Sequence, residues 1–356
     1  MIPYGRQHVD EADIAAVVEV LRGDWLTQGP HIAEFERALA DFVGAEHAVA
    51  FANGTAALHA ACAAADLGPG DTVATSTLSF VASANCASYV GADVALLDID
   101  PTTLNVDPTA VPTGLDAIVA VHFAGLPMDL AALAHRPRVV IEDAAHALGA
   151  LTPDGPVGSC AHSDLCCFSF HPVKAVTTGE GGAVTTNDAG LAERLRRFRH
   201  HGIVARPDDG GWCYDVVEIA MNYRLTDMQA ALGTSQLAKL ARFIERRQEI
   251  AARYRVLLAE LPVECAPAPP DGFTHAYHLF PILVPRRREI YDTLRASGIG
   301  VQVHYVPIHH HPVHRRPCES FPATEHAYAG LLSLPMFPDL TDAEQDQVVE
   351  ALRQAL

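Results

Sequence analysis

Hydrophobic positions Ile14, Val17, Val18 and Leu21 recur with the period of a helix, behind Asp10 as cap and ahead of Gly23 as stop. A loop, DWLTQGP (Asp24 to Pro30), leads into a second amphipathic helix over His31 to Val43. The pattern then changes. His47 to Ala65 predicts a strand, a tight turn and an alanine-rich helix that begins near Gly54 and Thr55. Short apolar runs follow as strands at Thr72 to Ser76, Val94 to Ile99, Ala117 to His122 and Val139 to Glu142. A helix from about Phe80 to Tyr89 separates the first two of these. Short β runs divided by helical segments imply an α/β fold whose largely parallel sheet is covered on both faces.

Beyond these, NYRLTDMQAALG (Asn222 to Gly233) opens a long helix that is expected to run to about Leu261. The Pro-rich run Pro262 to Gly272 reads as a linker. Strands at Leu279 to Val284 and Gly300 to Tyr305, a helix from Arg286 to Ala296 and a last helix from about Asp342 to Ala355 make a small α+β unit. A chain of 356 residues with 49% hydrophobic content exceeds one ordinary domain. The expected division is a large unit over 1–245 and a small one over 246–356.

Charge narrows the partners. With 43 acidic against 25 basic residues the net charge is −18, which argues against a nucleic-acid or anionic-membrane binder. An anionic substrate would have to meet local positive groups. Eight cysteines without paired CxxC spacing read as free thiols in a reducing compartment. The start, MIPYGRQHVDEADI, lacks a signal-peptide pattern, and no apolar run reaches membrane-spanning length. A cytoplasmic protein is expected.

The candidate chemistry centres on FSFHPVKAVTTGEGGAVTTN, Phe168 to Asn187, where Lys174 stands among Ser169, His171, Thr177, Thr178 and glycines. A lysine amine attacks carbonyls when its site lowers its pKa. Upstream, RVVIEDAAHALGA (Arg138 to Ala150) puts Asp143 at the end of an apolar strand. Gly54, Phe80, Asp143 and Lys174 all fall at or just beyond strand ends, where ligands of such sheets gather. The helix start at Gly54 and Thr55 is a ready anion site, although a Gly-Thr cap is also common without one. A lysine, an acid and a phosphate cradle are what pyridoxal phosphate (PLP) requires.

FSFHPVKAVTTGEGGAVTTND and VIEDAAHALGA resemble the DegT/DnrJ/EryC1/StrS nucleotide-sugar aminotransferases. The resemblance implies the aspartate-aminotransferase fold, fold type I, and PLP held as a Schiff base on Lys174. It implies that Asp143 faces the pyridine nitrogen, Phe80 stacks on the ring and His146 lies near the phenolic oxygen. It further implies a phosphate site of Gly54, Thr55 and Ser169, completed by Asn222 of a second copy, and hence a homodimer. IPYGRQ, DWLTQGP, VASANCASYVGA, NYRLTDMQAALG and GIGVQVHYVPIH are similar to one subgroup, the UDP-4-amino-4,6-dideoxy-N-acetyl-β-L-altrosamine transaminases of pseudaminic acid biosynthesis. A UDP-linked 4-keto sugar and L-glutamate are then the expected substrates.

Arg224, His304, Tyr305, Arg315 and Arg316 are the expected substrate contacts. The basic stretch Leu191 to Arg206 is either a solvated helix face or a further contact for an anion. His304, His309, His310, His311 and His314 invite a metal reading. Pro307 and Pro312 break the helical spacing, however, and no acid or cysteine stands at zinc-site spacing, so no catalytic metal is expected. Alternatives are an aminotransferase for a dTDP- or GDP-linked keto sugar, a PLP-dependent sugar 3-dehydratase and a non-enzymatic PLP-binding regulator. The dehydratase pattern carries His in place of the lysine, and no basic helix-turn-helix module accompanies the chain.

Overall fold

The computed structural model describes residues 1–265, 268–315 and 319–356. Asp10 caps α1 (Glu11–Arg22) through a capping box with Asp13, and α2 (Pro30–Val43) ends at Gly44 in the left-handed region. Next come β1 (His47–Phe51), α3 (Gly54–Ala64), β2 (Thr72–Ser76), α4 (Ala82–Tyr89), β3 (Asp93–Leu97), β4 (Ala117–Val121) and β5 (Val139–Asp143). A small hairpin, β6 (Leu151–Thr152) and β7 (Gly155–Pro156), precedes β8 (Leu165–Ser169), β9 (Gly182–Thr186) and α5 (Ala189–Phe198). The central sheet has seven strands in the order β1-β9-β8-β5-β4-β2-β3. Within it β8, β5, β4, β2 and β3 pair parallel, and β9 runs antiparallel to both neighbours.

Alternation along the strands sends side chains to two cores. Val119, Ile141, Cys167 and Val184 pack under α3, whereas Ala50, Cys166, Phe168 and Ala183 meet α2 and its neighbours. The alanines of α3 let that helix lie close on the sheet, which brings its first turn beside Ser169. The expected α/β sheet and its first five strands are present, with limits shifted by one or two residues.

A separate core surrounds the antiparallel sheet of β12 (Glu264–Cys265), β13 (Phe280–Leu283) and β14 (Leu331–Leu334). Before it lie the hairpin β10 (Ile203–Ala205) and β11 (Tyr214–Val216), then α6 (Asp227–Leu237) and α7 (Leu240–Leu258). α8 (Arg287–Ala296), α9 (Pro322–Gly330) and α10 (Asp342–Ala355) complete the chain.

Two expectations are corrected. The long helix to Leu261 is two helices, α6 and α7, broken at Ala238 and Lys239. There Lys239 Nζ reaches Asp10 and, at 2.9 Å, Asp13, while Gln236 Nε2 donates to Asp13 and to the carbonyl of His8. These contacts tie the break to the start of α1. Gly300 to Tyr305 is no strand: a bridge from Gln302 to Ser333 is followed by a turn of the chain into the central cavity.

Candidate active site

A cavity of about 790 Å³ opens at the carboxyl ends of the parallel strands. β5 delivers Asp143, β8 delivers Ser169 and the loop after it Lys174, while the segment after β2 delivers Phe80. Gly54 and Thr55 reach it as the first turn of α3. His146, His304 and Tyr305 line it too. The structure therefore gathers nine of the candidate residues, which lie far apart in sequence.

Asp143 is buried, and its two oxygens are held separately. Ser83 Oγ donates to Oδ2 at 2.6 Å and the Ala145 N–H donates to Oδ1 at 3.2 Å. Lys174 is half-buried in the cavity wall. Dehydration pushes its ammonium down to about 8 from the usual 10.5, against an upward pull from the Asp143 carboxylate. An amine so placed is a nucleophile and a proton acceptor at moderate pH.

Opposite them lies an aromatic and imidazole wall. His146 Nε2 and the Tyr305 hydroxyl are 3.0 Å apart, and the His146 and His278 rings lie 4.4 Å apart. Burial, followed by the Lys174 charge, holds both histidines well below the usual imidazole range. His304 falls to about 3 for the same two reasons. This wall is neutral near pH 7. Among the described residues, His146 Nδ1 and His278 Nδ1 are buried without a hydrogen-bond partner, so the wall retains polar capacity for a ligand.

The anion cradle is shaped by close backbone approach. Asn53 Oδ1 accepts from the Ala56 N–H, which caps α3. A side-chain carbon on Gly54 would lie 2.8 Å from Ser169 Cβ, and one on Gly182 would lie 2.5 Å from the carbonyl of Asn53. Only hydrogen atoms fit there. The first turn of α3 thus presents its amides beside the Ser169 and Thr55 hydroxyls, the geometry that suits a phosphate. The residues fit PLP: an amine, a buried carboxylate, an exposed Phe80 ring and an anion cradle share one cavity.

Other candidates lie elsewhere. Asn222 is exposed and bridges His200, and Arg224 Nη1 lies 2.8 Å from His200 Nδ1, so neither lines the cavity of one chain. Arg315 is exposed and donates weakly to the carbonyl of His310. Arg316 lies outside the described residues. The basic stretch is largely engaged internally: Arg197 pairs with Glu218, Arg199 with Glu36 and Arg206 with Asp209 and Asp215. Three of its five arginines thus serve ion pairs within the chain. Tyr4, Tyr223, His278 and Gln302 line the cavity although no local pattern marks them. Ser83, which holds Asp143, had one signal: it stands one helical turn after Phe80.

The DegT/DnrJ/EryC1/StrS aminotransferase family model matches residues 7–353. The spore coat polysaccharide biosynthesis protein SpsC of Bacillus subtilis is 37% identical, with 99% of this chain and 96% of that protein covered. PseC of Helicobacter pylori, an aminotransferase of pseudaminic acid biosynthesis, superposes with a TM-score of 0.92 at 30% identity, covering 99% of this chain and 98% of that one. The PMP form of Spr1654 from Streptococcus pneumoniae has a TM-score of 0.93 at 27% identity, covering 100% and 99%.

Proposed function

The chain belongs to the DegT/DnrJ/EryC1/StrS aminotransferase family, and on that premise we propose that it moves the amino group of L-glutamate to C4 of a UDP-linked 4-keto-6-deoxy-N-acetylhexosamine. The product is UDP-4-amino-4,6-dideoxy-N-acetyl-β-L-altrosamine, for pseudaminic acid biosynthesis. At the coarser level it is a PLP-dependent sugar aminotransferase of the type I fold. The observation that carries the reading is the meeting of Lys174 and Asp143 in one cavity with the amino end of α3. The choice of sugar is supported by the subgroup-like segments and by the likeness to PseC.

PLP, when bound, supplies an aldehyde that takes up the amino group and a ring that draws electrons from the carbon losing its proton. Lys174 Nζ is the amine that would hold it and, once displaced, would carry the proton on and off the substrate carbon. Asp143, fixed by Ser83 and the Ala145 amide, would keep the ring nitrogen protonated. Thr55, Ser169 and the α3 amides would bind the phosphate, and Phe80 would cover one face of the ring. His304 and Tyr305, with Arg224, Arg315 and Arg316, are the proposed sugar-nucleotide contacts.

A homodimer belongs to the same proposal. Trp212, Val216, Val217 and Ile219 stand exposed on the segment that leads to Asn222, an apolar surface suited to a second copy. No helix among the described residues is long and apolar enough to cross a membrane. Free cysteines suit a reducing compartment, and the cytoplasm is the proposed site of action.

Borohydride reduction of the holoenzyme followed by peptide mapping tests the cofactor site. Lys174 and Lys239 are the only lysines of the sequence, so label on Lys239 would overturn the assignment. The substrate is tested by comparing kcat/KM for the β-L-arabino 4-keto UDP sugar, its D-xylo epimer and dTDP-4-keto-6-deoxyglucose, with glutamate as donor. A tenfold preference for either competitor, about 1.4 kcal/mol, would remove the UDP altrosamine assignment and leave the sugar aminotransferase.

A further inference from the structure

The histidine run that the sequence left without an acidic partner acquires one in the fold. α9 places Glu325 against the loop that carries His309 and His310. Nε2 of His309 lies 2.7 Å and Nε2 of His310 2.6 Å from the same oxygen, Glu325 Oε1. The donor atoms of these three residues all lie within 4.8 Å of one another. We propose that His309, His310 and Glu325 form a divalent transition-metal site, taking Zn²⁺ through two imidazole nitrogens and one carboxylate with the fourth position open to water.

The donor set and the hydrogen bond behind His309 both favour this assignment. Two imidazoles and a carboxylate are a zinc-type donor set. Around Zn²⁺ at about 2.0–2.1 Å, tetrahedral donors stand about 3.3 Å apart, so the present contacts need to open by well under 1 Å. Glu325 is half-exposed and free to withdraw by that amount, while His309 is largely buried. His309 is also oriented from behind. Its Nδ1 lies 2.6 Å from Thr77 Oγ1, on a fully buried threonine. With an ion on Nε2 the remaining proton would lie on Nδ1, the ring would donate to Thr77 Oγ1 and the Nε2 lone pair would face the ion, the arrangement usual for metal-bound histidine.

Both halves of the site are anchored. The Ile308 N–H donates to the Thr77 carbonyl, tying the histidine loop to the end of β2. Asp98 accepts from the N–H groups of Ala323 and Thr324 and from the Thr324 hydroxyl, fixing the first turn of α9. A bound ion would therefore join α9 to the loop that brings His304 and Tyr305 into the cavity. This inference does not depend on the proposed sugar substrate.

The test uses untagged holoenzyme stripped with a chelator, desalted and titrated with Zn²⁺ against a metallochromic competitor, with Co²⁺ as a spectroscopic probe. The expected result is one equivalent of Zn²⁺ per chain, and visible Co²⁺ bands of a four-coordinate nitrogen–oxygen site. Glu325→Gln and His310→Asn should each weaken binding by about tenfold or more. His326→Asn, an exposed neighbour on α9 outside the cluster, should leave it unchanged. The proposal is overturned if wild type takes up no stoichiometric metal, or if Glu325→Gln and His310→Asn bind as wild type does. Should a variant fold poorly, the Co²⁺ spectrum of wild type still decides, because six-coordinate aqueous-type bands exclude the site.

Discussion

The lowered pKa of Lys174 can be measured without turnover. A fall from 10.5 to about 8 is worth about 3 kcal/mol against the charged form. At pH 7.5 the neutral fraction then rises from about one amine in a thousand to a sizeable minority, a gain of roughly two orders of magnitude. The perturbation to apply is removal of the cofactor, which leaves the amine free, followed by Asp143→Asn. With lysine labelled at Nζ by ¹⁵N, the apo protein should give two signals, from Lys174 and Lys239, and Lys174→Ala identifies the first by deleting it. That signal should titrate near pH 8. In Asp143→Asn it should titrate lower still, because the carboxylate charge that pulls it upward is gone. Linkage gives a second reading. A base whose folded pKa is depressed destabilises the folded apo chain below about pH 8, and that cost is relieved as pH climbs toward 10.5. Lys174→Met should therefore raise the apo melting temperature at pH 7. A Lys174 signal that titrates near 10.5 would refute the argument, since the amine would then be hydrated and not primed by its site.

Three further outcomes are expected. Asp143→Asn should keep the Ser83 contact but slow both half-reactions by roughly 10- to 150-fold, the worth of a charged hydrogen bond of about 1.5–3 kcal/mol; stopped-flow spectra with glutamate alone and with keto sugar alone check each half. Gly182→Ala would set a methyl group 2.5 Å from the Asn53 carbonyl, so denaturant melts should show a loss of about 1–3 kcal/mol and dialysis should show weakened cofactor retention. Mixing inactive Lys174→Ala chains with inactive Asn222→Ala chains should restore part of the activity if sites are shared between copies; no recovery despite proven subunit exchange counts against the composite site.

Much of the body was legible from local pattern. Thr72–Ser76 and Asp342–Ala355 begin and end where their apolar periodicity and caps do, because each depends on neighbours a few residues away. Asp143 was marked as an acid at the end of a buried strand, and Lys174 as a lone lysine among serine, threonine and glycine just beyond another. Long-range contacts left no such trace. At the break Lys239 meets aspartates more than two hundred residues earlier, contacts that no local pattern within α6 or α7 signals. Tyr4 and Gln302 share a cavity because Ile2 bridges Ile299 and the Tyr4 carbonyl accepts from the Met336 N–H. Glu325 stands 15 residues beyond His310, too far for a ligand spacing to suggest it. Periodicity reports which side of an element faces a core. Which distant side chains close around one cavity is decided by strand order, register and the docking of the second sheet, and these belong to the tertiary structure alone.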